Sequence, residues 1–301
     1  MRASCRLSSR FRARTIASAR RTSGVAQTRC SSRDTNVNAM EVHRFKALRD
    51  NYGFAIRCAE TGETAIVDAP SVADVVRAFK SEIPTWRAPS TILVTHWHDD
   101  HAGGCDGLRD AFGSVSEIKV IAPKREMGKI SARVDRWVSD GDVVSVGDLR
   151  ATVLETPGHT LGHAIYHFAD DGHVFVGDTL FALGCGRLFE GTPEQMWSSV
   201  SKILAMSDET KVWCAHEYTQ ANAKFALSVD PENAALVARA KEIAAQRERG
   251  EPTIPTTVGD ERRTNPFCRP DSEDVQRGVN MLRGANLASV FGAIRAAKDK
   301  F

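Results

Sequence analysis

The feature that most constrains this chain is the run Thr95-His96-Trp97-His98-Asp99-Asp100-His101-Ala102-Gly103-Gly104, which follows directly on a short apolar stretch at residues 91–94. Four side chains of metal-ligand type, His96, His98, Asp100 and His101, fall within six residues. In an extended segment His96 and His98 point the same way, and a turn into a helix sends Asp100 and His101 toward a neighbouring position. One loop can thus serve two adjacent ions. Three more such residues each stand just after an expected strand: His159 in Thr-Pro-Gly-His, Asp178 in Val-Gly-Asp-Thr and His216 in Cys-Ala-His-Glu. Binding residues concentrate in loops of this kind on a rigid scaffold. Taken singly, each has an ordinary use, since a histidine after a strand is commonly a surface or core residue and Asp178 could cap a helix. Taken together, five His and two Asp in this order suit borderline ions such as zinc, iron or manganese, with a carboxylate able to bridge two of them. His43, His163, His167 and His173 are read as structural.

The pattern around these residues is strand-rich and then helix-rich. Strands are expected at 42–48, 54–58, 64–68, 91–95, 118–122, 143–146, 151–155, 164–168, 174–176 and 211–214, with Asn-Tyr-Gly and Thr-Gly-Glu turns near the start. Helices are expected at 72–82, 105–112 and 193–206. Beyond His216, Ala, Lys, Glu and Arg dominate residues 222–250 with helical periodicity and no convincing strand. Residues 251–255, Glu-Pro-Thr-Ile-Pro, read as a rigid connector, and further helices are expected at 272–282 and 287–298. This order predicts an α+β protein with a catalytic domain at 40–215 and a helical domain at 216–301.

Charge divides unevenly along the chain. Residues 1–39 hold nine Arg, no Lys and one acidic residue, Asp34, together with seven Ser and no continuous apolar centre. That is the composition of an organellar transit peptide, mitochondrial by its Arg density, with a plastid leader as the rival and a cytosolic form if translation starts at Met40. The net charge of +2 on the whole chain therefore conceals an acidic remainder, which has no general attraction for nucleic acid phosphates. No stretch is long and apolar enough to cross a membrane. Seven Cys without paired spacing point to a reducing compartment.

The succession His96-x-His98-x-Asp100-His101, His159, Asp178, His216 resembles the metal-binding signature of the metallo-β-lactamase superfamily. That resemblance implies a four-layer αββα sandwich over roughly residues 41–215. Narrower features resemble the glyoxalase II (hydroxyacylglutathione hydrolase) family: Asp50-Asn51-Tyr52, Gly177-Asp178-Thr179-Leu180-Phe181, residues 184–192 (Gly-Cys-Gly-Arg-Leu-Phe-Glu-Gly-Thr), His216-Glu217-Tyr218-Thr219, Asn265-Pro266-Phe267, and Arg295 with Lys298, Asp299 and Phe301. The likeness runs from about residue 41 to the C-terminus and includes the helical part with which that family grips glutathione.

By this resemblance His96, His98 and His159 bind one divalent ion, Asp100, His101 and His216 the other, and Asp178 bridges them, zinc being the first choice. Asp100 and Asp178 are the catalytic pair. Arg187, Phe189, Tyr218, Asn222, Arg295 and Lys298 fall where the family contacts glutathione, Arg295 and Lys298 being suited to its glycine carboxylate. Phe189 stands where relatives often carry Tyr, and Arg187 where they often carry Lys. The implied reaction is hydrolysis of S-(2-hydroxyacyl)glutathione, such as S-lactoylglutathione, to glutathione and a 2-hydroxy acid by hydroxide formed between the ions. The partner is then a small glutathione thioester, with no nucleic acid or membrane, and the chain is expected to be a monomer. A glutathione-persulfide dioxygenase, using one iron, is the alternative on the same fold.

Overall fold

The computed structural model describes residues 40–301, so the leader reading of residues 1–39 lies outside the described residues. The first sheet is built in chain order from β1 (Met40–Ala47), β2 (Asn51–Cys58), β3 (Thr64–Val67), β4 (Thr91–Leu93), β5 (Lys119–Pro123) and β6 (Arg136–Val138). The first two pairings are antiparallel and the rest parallel. The second sheet begins with the meander β7 (Val143–Val146), β8 (Leu149–Glu155), β9 (Ala164–Phe168) and β10 (His173–Gly177). A small hairpin of β11 (Leu180–Phe181) and β12 (Gly184–Cys185) follows. Then β13 (Lys211–Cys214) pairs parallel to β10, and β14 (Thr256–Thr257) closes that edge.

Strands β3, β4 and β5 are apolar at successive positions because both of their faces are covered. Ile66, Ile92, Val94 and Val120 face outward into a cluster with Val75, Leu108 and Phe112, which α1 (Val72–Arg77) and α3 (Cys105–Phe112) supply. Between α1 and the next strand the helix widens into a single π turn at Ala78–Glu82. The alternate residues Val67, Leu93 and Ile121 face inward, where they share a cluster with Tyr166 and Phe175 of the second sheet. The Tyr166 hydroxyl, fully buried between the sheets, donates to the Val94 carbonyl at 2.7 Å. Edge strand β7 shows the opposite pattern, with Val144 and Val146 buried and Val143 and Ser145 exposed.

The inner cluster continues into Met196, Val200 and Ile203 of α4 (Pro193–Leu204) and Val290, Phe291 and Ile294 of α9 (Leu287–Lys300). Helix α4 opens with a capping box between Thr192 and Gln195 and with Pro193 in its first turn. The remaining helices are α2 (Asp99–Ala102), α5 (Thr219–Val229), α6 (Ala234–Glu248), α7 (Val258–Thr264) and α8 (Glu273–Gly278). Two elements were not expected from sequence beyond His216: β14, which pairs with β13, and α7. Both are too short to show a hydrophobic period. Among the described residues no helix is long and apolar enough to cross a membrane, and Cys58, Cys105, Cys185, Cys214 and Cys268 are all buried thiols.

Candidate metal centre and adjoining cavity

Four loops bring the seven predicted ligand residues to one end of the sandwich. His96 and His98 follow β4, Asp100 and His101 lie on α2, His159 follows β8, Asp178 follows β10 and His216 follows β13. The short helix α2 docks on the end of β3, where Ala69 N donates to the His101 carbonyl at 2.7 Å and Gly104 N to the Ala69 carbonyl at 3.0 Å. A Cβ at Gly104 would stand 2.6 Å from that carbonyl oxygen, so glycine is required for the close approach.

Four of the five imidazoles, those of His96, His159, His101 and His216, are oriented by the nitrogen that does not face the centre. His96 Nδ1 lies 3.0 Å from Thr95 Oγ1, whose own proton goes to Asp68 Oδ2 at 2.9 Å, so the histidine is the donor. His159 Nδ1 donates to the Arg187 carbonyl at 2.9 Å. The Nε2 atoms of both rings are therefore bare lone pairs, and they converge on His98 Nδ1 at 3.0 and 3.1 Å. Three neutral nitrogens crowded in this way lack the protons to satisfy one another, and a cation supplies what is missing. On the other side His101 Nδ1 meets Asp68 Oδ2 at 2.7 Å and His216 Nδ1 meets Asp50 Oδ1 at 3.0 Å. Their Nε2 atoms lie 3.5 and 3.4 Å from Asp100 Oδ2, which also accepts from Asn51 Nδ2 at 2.9 Å.

Asp178 stands between the two groups. Its Oδ2 is 3.5 Å from His159 Nε2, while its Oδ1 is 3.4 Å from His101 Nε2 and 3.5 Å from His216 Nε2. Among the described residues, His101 Nε2 and Asp178 Oδ1 are buried atoms with no hydrogen-bond partner. Orphaned polar atoms of this kind need an explanation, and the ligand atoms of His96, His98 and His159, of His96, His101 and Asp178, and of Asp100, His101 and His216 each gather closely enough to hold an ion.

The two groups differ in electrostatics. Burial and the neighbouring imidazoles hold His96 well below the usual histidine range, and burial also lowers His98 and His159. Burial acts on His101 as well, but Asp68, Asp178 and Asp100 outweigh it and hold it up at about 9. Burial alone would raise the Asp178 carboxyl, yet His101, His216 and His159 bring it well below the usual carboxylate range.

Some supporting residues escaped the sequence reading. Asp68, at the end of buried β3 with φ of 60°, organises Thr95 and His101 at once. Its one signal was an acid directly after four buried residues. His163 is fully buried, stacks on His96, and accepts the Asp178 backbone N–H on Nε2 at 3.1 Å. Its role is structural, and what it supports is the bridging position.

A cavity of about 790 Å³ opens beside the centre and is lined by His159, Asp178, Phe181, Arg187, Tyr218 and Lys298 among others. Tyr218 stacks flat on His216 at 4.7 Å, and the half-open Phe189 ring meets His98 and His159 edge-on at 5.6 and 5.1 Å. Lys298 lies between the Phe225 and Phe301 rings, and burial together with Arg295 and Arg187 lowers its pKa. Three of the predicted contacts already have partners, Lys298 through a 3.4 Å bond from Nζ to the exposed Ala221 carbonyl and the other two more deeply. Arg295 is buried and donates to the Cys185 carbonyl at 2.9 Å and to Asp299 at 2.8 Å, and the Asn222 amide donates to the Ala182 carbonyl at 3.1 Å.

Comparison with known proteins assigns both parts of the chain. Residues 53–216 match the metallo-β-lactamase superfamily, and residues 217–301 match the hydroxyacylglutathione hydrolase C-terminus. Hydroxyacylglutathione hydrolase of Maricaulis maris is 47% identical over 260 residues, covering 86% of this chain and 98% of that protein. The Erythrobacter litoralis protein of the same name is 47% identical over 262 residues, covering 87% of this chain and all of its own. Among solved structures, ETHE1 from Myxococcus xanthus shares the fold, with a TM-score of 0.57 at 23% identity over 86% of this chain and 99% of its own. With family matches to both the sandwich and the helical segment, and 47% identity over 260 residues and more, the chain belongs to the hydroxyacylglutathione hydrolase family of the metallo-β-lactamase superfamily.

Proposed function

We propose that the centre holds two divalent metal ions and that the chain hydrolyses the thioester of S-(2-hydroxyacyl)glutathione, such as S-lactoylglutathione, to glutathione and a 2-hydroxy carboxylate. The observation that carries this reading is the pair of orphaned atoms, His101 Nε2 and Asp178 Oδ1, at the meeting point of two ligand groups beside an open cavity. His96, His98 and His159 would hold one ion, Asp100, His101 and His216 the other, with Asp178 reaching both. Imidazole and carboxylate donors suit zinc first, and iron or manganese also. When bound, the two ions would supply hydroxide near neutral pH and polarise the thioester carbonyl.

The chain's own residues do the rest. Asp68, Asp50, Thr95 and the Arg187 carbonyl fix the tautomers and aim the free nitrogens. Arg187 and Lys298 place positive charge in the cavity for the carboxylates of the peptide, and Phe189 and Tyr218 wall its entrance over the histidines. Arg295 supports that wall through Cys185 as well as adding charge. A glutathione thiol, with a pKa of about 8.5, leaves as thiolate without a separate general acid. The division into a catalytic part at 40–215 and a glutathione-binding part at 216–301 belongs to the same proposal, as does a monomeric state. Mitochondrial import by residues 1–39, supported by their Arg-rich composition, is tested by imaging a fluorescent fusion with and without them.

The test is to purify the chain, count its metals, and follow loss of S-lactoylglutathione thioester against release of thiol. Two metals per chain with matched thiol release is the expected result. Metal without thiol release, and oxygen consumed with glutathione persulfide, would replace this reading with the dioxygenase one.

A further inference from the structure

Glu190 has no part in the chemistry above, yet three segments of the centre meet on its carboxylate. Oε1 accepts from Trp97 Nε1 at 2.9 Å, and Trp97 lies between His96 and His98. Oε2 accepts from the Leu161 backbone N–H at 2.8 Å, two residues beyond His159. Lys129 Nζ donates to both oxygens, at 2.9 and 2.7 Å, and sits 5.7 Å from the Trp97 ring centre. The same ammonium is 3.7 Å from Oε2 of Glu126, a fully buried carboxylate whose other oxygen accepts from Thr160 Oγ1. Residues on either side of Glu190 close on the His159 loop through its backbone: Gly191 N donates to the Gly158 carbonyl at 3.0 Å, and the Arg187 carbonyl accepts from His159 Nδ1.

A carboxylate held by this many donors has one orientation left, and its two oxygens bracket the two loops that carry the first ligand group. We infer that Glu190, with Lys129 as its counter-ion, is a positioning residue that fixes the His96–His98 loop against the His159 loop and holds the Arg187 to Phe189 segment over them. The inference rests on the reading that His96, His98 and His159 hold a metal ion. None of the contacts of Glu190 reaches Asp100, His101 or His216. Asp100 and His101, further along the same loop, have anchors of their own in Asn51, Asp68 and Ala69, so the effect of Glu190 is selective for one ion of the two, which a residue serving only general stability would not show.

The experiment is chelator competition on the metal-loaded protein, resolving the affinities of both zinc ions, with the melting temperature of the metal-free protein and kcat and KM measured alongside. Glu190→Ala is expected to weaken the first ion about 10- to 100-fold, the range for residues that orient ligands, and to leave the second within about twofold. Glu190→Gln keeps one acceptor for Leu161 but presents an amide to Lys129 and Trp97, so it falls between Glu190→Ala and the unaltered chain. Lys129→Met weakens the first ion alone, and adds nothing in the Glu190→Ala background. Unchanged affinity for the first ion in Glu190→Ala, or equal loss of both ions tracking a fall in melting temperature, overturns the inference. If Glu190→Ala does not fold, Lys129→Met decides it by the same selectivity. His98→Ala separates the two levels of the argument. Should His98→Ala lose no ion, the metal assignment itself fails; should it lose one while Glu190→Ala loses none, only the positioning role fails.

Discussion

The two halves of the centre are similarly buried, but one gathers neutral imidazoles and the other imidazoles paired with carboxylates. His96, His98 and His159 gather as neutral rings, the outer nitrogens of His96 and His159 held by a hydroxyl and a carbonyl, and all three sit below the usual histidine range. His101 and His216 are held by carboxylates, and both are raised. Burial is the same in the two halves, with His96 at 0% and His101 at 1% exposure, so burial does not separate them. The carboxylates do. The first half is a geometric device, dependent on loops kept in register. The second is an electrostatic one, in which Asp68 and Asp50 offset the cost of gathering charge in a dry site.

The largest effect should come from the residue that belongs to both halves. Asp178→Ala is expected to lose bound metal and nearly all turnover, beyond the ~100-fold ceiling typical of residues that only orient ligands. Counting metal and measuring kcat on one sample checks this, and retention of both ions at full rate would break the bridging assignment. Next comes a contrast within the second half. Asp68 and Asp50 play the same role toward His101 and His216, but the Asp68 side chain is 7% exposed and that of Asp50 is 38% exposed. Asp68→Ala should weaken the second ion about 10- to 100-fold, and Asp50→Ala by clearly less, because water can replace the exposed acceptor. Equal losses in the two variants would show that solvent access does not matter there.

How far the sequence carried this reading depends on the half considered. The ligand types were legible because each stands at the end of an apolar stretch, where a histidine or aspartate is conspicuous. The partners that orient them were less so, since Asp68 is 33 positions from His101 and Asp50 is 166 from His216. Asp50 falls in a stretch marked by the resemblance, though not its role, and nothing local marks Asp68, since a lone acid after a strand has the same appearance whether it caps a helix or holds an imidazole. His163 reads as structural from sequence, but nothing local to it shows that what it supports is Asp178. The strands, helices and α+β order were legible from alternating and continuous apolar stretches and the layering only through the resemblance, whereas β14, α7 and the β11–β12 hairpin were not legible, being too short for any periodicity. Arg295 and Asn222 show a third limit. Their places beside the cavity were inferred by resemblance, and the hydrogen bonds that engage them appear only in three dimensions.

That engagement makes Arg295 a weaker but sharper probe of the boundary between centre and cavity. Arg295→Ala removes one charge from the cavity and a donor from the Cys185 carbonyl, while touching neither ligand group. KM should rise about tenfold, the size of one charge-assisted contact, with kcat and metal content little changed. A fall in kcat with steady KM would mean that the β11–β12 hairpin transmits the change to Asp178, and the separation drawn here between centre and cavity would have to go.

A last test, on stability instead of activity or metal content, addresses the premise that burial lowers a histidine in this protein and that carboxylates are what raise His101. His173, at the opposite end of β10 from Asp178, supplies the reference. It is buried, accepts from Trp213 Nε1 at 3.0 Å, and has no carboxylate partner. Burial, helped by Lys211, depresses it to about 4. In the unfolded chain it titrates near 6.5, so the unfolded state binds the extra proton between those values. Stability is thus complete above pH 6.5 and falls as pH drops toward 4, by about 2 kcal/mol once partial solvation is allowed for. His173→Gln, which cannot charge and can still accept from Trp213, should flatten the metal-free protein's unfolding midpoint between pH 6.5 and 4.5. If the slope is unchanged, burial does not depress histidines here as strongly as argued, and the contrast between the two halves would rest on geometry alone.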